Sequence, residues 1–140
     1  MRRVLVFGVF DGAHEGHFSF LREARACGDC LFVAVARDEV VEKLKGRPPQ
    51  KDQGLRIKEL MKAGLTDEVI EGDLDLGSWA VIGKVKPDVI ALGYDQVGLK
   101  GALEEHIREK GLDIEVRVMK AHKPEKYHSS ILNNEESCLT

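Results

Sequence analysis

No apolar run in this 140-residue chain approaches the ~20 residues that a membrane span needs, and no segment has the layout of a secretory signal. A membrane-embedded protein is set aside and a cytoplasmic one is expected. No long basic block is present: 21 Lys and Arg stand against 24 Asp and Glu, a formal net charge of −3. Non-specific binding to nucleic acid needs many cations on one surface and is not expected, although a local basic funnel for nucleotide phosphates stays open. Internal repeats and low-complexity segments are absent. Cysteine is scarce, with three in the chain. Cys27 and Cys30 form a C-x-x-C, but one falls at the end of a predicted helix and the other at the start of a strand. A low-pKa redox cysteine wants a helix N-terminus instead, so both read as structural thiols in a reducing compartment.

What is present is ordinary for a soluble globular domain: 43% hydrophobic and 32% charged residues. The length is that of one domain, residues 1–140, large enough to bury a core without staples. Strand-like runs occur at Val4–Phe7, Leu31–Ala36, Glu68–Glu71, Val89–Leu92 and Glu115–Val118. Two of them, Leu31–Ala36 and Val89–Leu92, are apolar on both faces, as central parallel strands are. Helical patterns cover Gly16–Cys27, Lys51–Ala63, Gly77–Val85 and Ala102–Lys110. Ile57, Leu60 and Met61 make an i, i+3, i+4 stripe in the second. Gly28, Gly64 and Gly111 stand where a left-handed helix cap is expected. Strands alternating with helices predict an α/β fold: a doubly wound, Rossmann-like, five-stranded parallel sheet.

The most informative segment is Gly8-Val9-Phe10-Asp11-Gly12-Ala13-His14-Glu15-Gly16-His17. It places two imidazoles three residues apart where the first strand hands over to the first helix. Free N–H groups at a helix N-terminus, two imidazole donors and glycines that admit a ligand to the backbone make a phosphate cradle. No Gly-Lys-Ser/Thr follows, so it is not a P-loop, and it lacks the Gly-x-Gly-x-x-Gly of dinucleotide folds. A zincin helix needs histidines four apart and a third ligand. The plain alternative is two surface histidines after a turn.

Ligands of a doubly wound sheet bind beyond the carboxyl ends of its strands. That rule gathers Phe10 to His17, Arg37 and Asp38, Gly93 to Gln96, and His122 to Ser130 on one rim. It leaves out Asp67, which precedes its strand. Lys43-Leu44-Lys45-Gly46-Arg47-Pro48-Pro49 reads as a basic loop, long for a strand–helix connection. It is either a lid or an ordinary solvated loop.

These residues resemble a known family. Gly8-Val9-Phe10-Asp11 with His14-x-Gly16-His17 resembles the signature of the HxGH nucleotidyltransferases of the cytidylyltransferase type. Ala36-Arg37-Asp38, Asp67-Glu68-Val69-Ile70, Lys86-Pro87-Asp88-Val89-Ile90 and Tyr127-His128-Ser129-Ser130-Ile131 resemble its later segments. The loop Lys43–Pro49 and Ala91–Gln96 most resemble small archaeal-type FMN adenylyltransferases (FAD synthases), with glycerol-3-phosphate cytidylyltransferase next. Three departures stand out. Gly64-Leu65-Thr66 precede Asp67 where the cytidylyltransferases have an arginine. Lys123 and Lys126, with His122 and His128, stand where an arginine precedes the last Ser/Thr motif. Gln96 replaces a tryptophan.

The resemblance implies transfer of a nucleoside monophosphate from a nucleoside triphosphate to a phosphorylated acceptor with release of pyrophosphate, and ATP to FMN is the expected pair. CTP with glycerol 3-phosphate is the alternative, and a nucleotide-binding sensor domain without turnover is a second. No protein nucleophile is required. His14, His17 and Lys45 are implied as catalytic. Gly8, Val9, Phe10, Gly16, Gly93, Asp95, Ser129 and Ser130 are implied to bind nucleotide, and Asp11, Asp38 and Lys43 to bind substrate, with Arg47 beside them. Mg²⁺ is expected on the substrate phosphates rather than in a protein cage. A homodimer is common in the family. Trp79 or Tyr94 would offer a flavin ring an aromatic wall.

Overall fold

A computed structural model of the chain describes residues 1–12, 15–73, 79–93 and 96–119. In order along the chain these form β1 (Arg3–Gly8), α1 (Glu15–Arg25), β2 (Cys30–Val35), α2 (Asp38–Lys45), α3 (Gln53–Ala63), β3 (Glu68–Glu71), α4 (Ala80–Val85), β4 (Val89–Leu92), α5 (Val97–Lys110) and β5 (Glu115–Val118). The five strands form one sheet in the order β3-β2-β1-β4-β5, every pairing parallel. The doubly wound reading of the sequence is borne out.

Strand alternation sorts the side chains onto two faces. Val4 and Val6 of β1 join Leu31 and Val33 of β2, Val89 and Ala91 of β4, Leu21 and Ala24 of α1 and Leu60 of α3 in one core. Leu5 of β1 joins Ile90 and Leu92 of β4, Val81, Ile82 and Val85 of α4 and Leu103 of α5 in the other. Every residue of β4 is buried, which is why its sequence shows no alternation. The strand order reverses between β1 and β4. A crevice at their carboxyl ends is where such a sheet binds ligand.

Several local expectations are corrected. The basic stretch from Lys43 is not wholly a loop: Lys43, Leu44 and Lys45 form the last turn of α2, which Gly46 ends at φ 76°. This helix is only eight residues long and buries Val40 and Val41, β-branched residues that weaken a helical signal. Its acidic first turn and basic last turn complement the helix dipole. α5 begins at Val97, not Ala102, despite Gly98 and Gly101. Gly64 and Gly111 are left-handed caps as expected, but Gly28 has no positive φ. It is small because a Cβ there would stand 2.8 Å from the Arg2 carbonyl oxygen.

Asp67, at the amino end of β3, fastens this edge of the sheet. Its carboxylate accepts the Leu31 N–H at 2.7 Å and the Arg25 guanidinium at 2.8 Å. Arg25 of α1 thus supplies the cation that the residues just before Asp67 lack. The Leu31 N–H, opposed by desolvation and aided by the Arg25 guanidinium, holds the Asp67 carboxyl below its ordinary pKa. A depressed carboxyl pKa stabilises the fold above the unfolded value of about 3.9, and the benefit is lost as pH falls through the folded value. The melting temperature of Asp67→Asn should therefore trail the wild type at neutral pH, and the gap should close below about pH 4. A gap that widens in acid contradicts this.

Candidate active site

The site starts where β1 ends. Phe10 has φ 54°, a left-handed conformation that costs a bulky residue roughly 1 kcal/mol. The turn folds its ring back over Gly8: a Cβ at Gly8 would lie 2.4 Å from the Phe10 ring, so no larger residue fits there unless that ring moves. Gly12 completes the turn at φ 70°. The Phe10 ring then meets the His17 imidazole edge-on, centroids 5.3 Å apart. His17 lies in the first turn of α1, only 1% exposed. The plain alternative of two surface histidines does not hold for His17, which is buried against the Phe10 ring. Gly16 is half-buried in the same turn. His14 lies outside the described residues, as do Asp95, Tyr94, the segment His122 to Ser130 with Lys123, Lys126, His128, Ser129 and Ser130, and Cys138.

Two carboxylates on this rim are engaged with protein. Asp11 accepts the N–H groups of Gln50 and Lys51 at 2.7 and 3.0 Å, tying the β1 loop to the chain entering α3. Asp38, at the start of α2, accepts the Arg56 guanidinium at 2.6 Å. Arg37 reaches the other way, to the Gly72 carbonyl at 2.9 Å and Glu71 at 3.2 Å beyond β3. Lys43 is exposed and Lys45 half-buried.

Arg56 was not singled out in the sequence, yet it organises the rim. It is 0% exposed and uses three nitrogens in three directions. Nε donates to the Lys51 carbonyl at 2.9 Å, Nη1 to the Val9 carbonyl at 2.9 Å and Nη2 to Asp38. One planar cation thereby locks together the β1 loop, α2 and α3. The available signal was helical spacing: Arg56 sits four residues before Leu60, on the side of α3 that faces the core.

Just beyond the end of β4, Gln96 is 5% exposed. Its Oε1 accepts the Gly93 N–H at 2.7 Å and its Nε2 donates to the Phe7 carbonyl at 3.2 Å, joining the ends of β4 and β1. Trp79 stands at the entry to α4, its ring edge-on to Phe7 at 6.0 Å and stacked with His106 at 5.7 Å. No group of three or more His, Cys, Asp or Glu side chains able to hold a metal occurs among the described residues. Cys27 and Cys30 are free thiols. Among the described residues no helix is long and apolar enough to cross a membrane.

The site thus combines a strained β1 loop, a buried histidine at the first helix and the strand order 3-2-1-4-5. The profile of the cytidylyltransferase-like family matches residues 5–135. The chain belongs to the cytidylyltransferase-like family. It is a nucleotidyltransferase of that family, and its sequence is similar to proteins named FAD synthase. One from Pyrococcus abyssi is 46% identical over 114 residues, covering 81% of this chain and 77% of the relative. Another, from Aciduliprofundum boonei, is 41% identical over 135 residues, covering 95% and 85%. Among solved structures, the lipopolysaccharide core biosynthesis protein of Thermoplasma volcanium superposes with a TM-score of 0.80 at 32% identity, covering 88% of this chain and 99% of that one. Two departures from the cytidylyltransferase pattern acquire a structural meaning. Arg25 partners Asp67 from α1, and Gln96 joins the ends of β1 and β4 where the cytidylyltransferases have a tryptophan.

Proposed function

We propose that the protein transfers the adenylyl group of ATP to the phosphate of FMN, forming FAD and releasing pyrophosphate. The observation that carries this reading is the identity of 46% to an FAD synthase over 81% of the chain. A phosphate oxygen of FMN attacks the α-phosphorus of ATP, and the bond from that phosphorus to the bridging oxygen of the β-phosphate breaks. Such a reaction runs on positioning and on neutralising charge that shifts in the transition state. His17, with His14, binds the triphosphate and stabilises the crowded α-phosphate. Gly8, Val9, Phe10 and Gly16 present backbone to it. Gly93, Asp95, Ser129 and Ser130 complete nucleotide binding, and Lys43, Lys45 and Arg47 neutralise phosphate charge from α2 and the connection after it. Asp11 and Asp38 contribute to the acceptor side chiefly by shaping the rim, since both carboxylates already hold protein donors. ATP enters as its Mg²⁺ complex, the cation riding on the phosphates. A cytoplasmic setting fits the free thiols of Cys27 and Cys30.

The test is a set of paired incubations: FMN with ATP, and glycerol 3-phosphate with CTP, each with Mg²⁺ and read by chromatography. FAD in the first alone is expected. CDP-glycerol in the second without FAD in the first would overturn the choice of substrates. No product in either would favour the sensor reading.

Lys45 gives a second check. Lys45→Ala should raise the KM for ATP roughly tenfold at low salt, the scale of one charged hydrogen bond. The variant should also respond less to added salt, because one phosphate-facing charge is gone. An unchanged KM across ionic strengths would remove Lys45 from the phosphate site.

A further inference from the structure

Trp79 is the single tryptophan of the chain and stands in an unfavourable place. It occupies the N-cap of α4 at φ 57°, ψ 24°, a left-handed conformation that glycine adopts at Gly46, Gly64 and Gly111. A bulky side chain is strained there. Capping does not explain it, because Trp79 makes no side-chain cap and Asp73 accepts the Val81 N–H at 2.9 Å instead. What the position does offer is a ring at the rim. α4 runs back from the carboxyl end of β3, so its first residues lie on the ligand-binding edge of the sheet. There the half-buried indole meets Phe7, one residue before Gly8 and the β1 loop. It also already stacks a planar ring, the His106 imidazole, at an interplanar angle of 29°. The indole also packs against the core of α4 and α5, and strain kept at a rim, with the cap supplied by another residue, is compatible with a functional ring as well as a packing one.

We propose that Trp79 is the wall against which the isoalloxazine ring of the acceptor stacks, an inference that rests on FMN being the acceptor. The ring is planar, electron-poor and largely apolar, and an electron-rich indole is its natural complement. The phosphate of FMN sits at the far end of a ribityl chain. Phosphate chemistry at the β1 loop therefore requires the ring to lie away from that loop, and Trp79 flanks it across Phe7. Gln96, bonded to the Phe7 carbonyl, fixes the strand end that the indole leans on.

The flavin reports on this contact directly. An indole in contact quenches isoalloxazine emission by electron transfer, whereas phenylalanine does not. With FMN and a non-hydrolysable ATP analogue, and with excitation in the visible, wild-type-bound FMN should lose most of its emission. Trp79→Phe should keep the KM for FMN within a few-fold and leave bound FMN emissive. Trp79→Leu should raise that KM about tenfold, the scale of a lost ring stack, with the KM for ATP nearly unchanged. Bound FMN that stays bright on the wild type would overturn the inference, as would equal quenching by the Trp79→Phe enzyme; the wild-type measurement needs no variant to fold. In either case FAD formation by the wild type would show that the acceptor itself was correctly named. A wild type that makes no FAD would instead remove that reading, and the wall with it.

Discussion

Replacing His17 by alanine is expected to lower turnover by roughly 10²–10³-fold, the usual loss when one preorganised donor to a transition state is removed. The imidazole is 1% exposed, set against Phe10 in the first turn of α1. Burial there does two things. It fixes the ring, so in the proposed mechanism no reorganisation would be needed when charge builds up on the α-phosphate, and it would keep water from screening that interaction. The effect should fall on kcat more than on the KM for ATP, because the donor is worth most in the transition state. Thermal melting of the variant separates this from simple unfolding. A folded His17→Ala enzyme with near-normal kcat would take His17 out of the mechanism.

Arg56→Met is expected to cost about 3 kcal/mol of stability, because the buried Val9 carbonyl and the partly buried Lys51 carbonyl lose their donor together. For a domain of this size that is a fall in melting temperature of about 10 °C. Lysine should not rescue it, since one ammonium cannot serve three acceptors that a guanidinium fork meets in separate directions. Asp38→Asn should be milder, about 1 kcal/mol, because the Asp38 side chain is 42% exposed and water replaces part of what is lost. Below its melting temperature the Arg56→Met enzyme should also turn over more slowly, because the β1 loop and α2 are no longer held by one group. A variant that melts with the wild type would show that the rim is held by other contacts.

The architecture was legible because parallel strands buried on both faces carry an unmistakable apolar run, as in Val89–Leu92, and because glycine stops such as Gly64 and Gly111 punctuate the helices. The short α2 was not legible. Eight residues with two buried valines give too little periodicity to stand out from a charged loop, so its last turn read as part of one. Strand-end logic gathers Phe10, Asp11, Asp38, Gly93 and Gln96 at the carboxyl ends of their strands, yet it does not show what these residues do for each other. Asp11 and Asp38, which read as substrate contacts, also fasten loops, a role no motif announces, while Arg56, the cation that ties those loops together, hid inside a helical stripe. The left-handed Phe10 runs against its own local preference, and such conflicts between residue and backbone are resolved only by tertiary packing.

The most direct test of adenylyl transfer to FMN is to follow labelled phosphorus through one reaction of FMN with ATP. Label at the α-phosphate should appear in FAD, and label at the γ-phosphate should appear only in released pyrophosphate. Retention of the α-label in unreacted ATP and its hydrolysis products, or transfer of the γ-label to the flavin, would contradict the account.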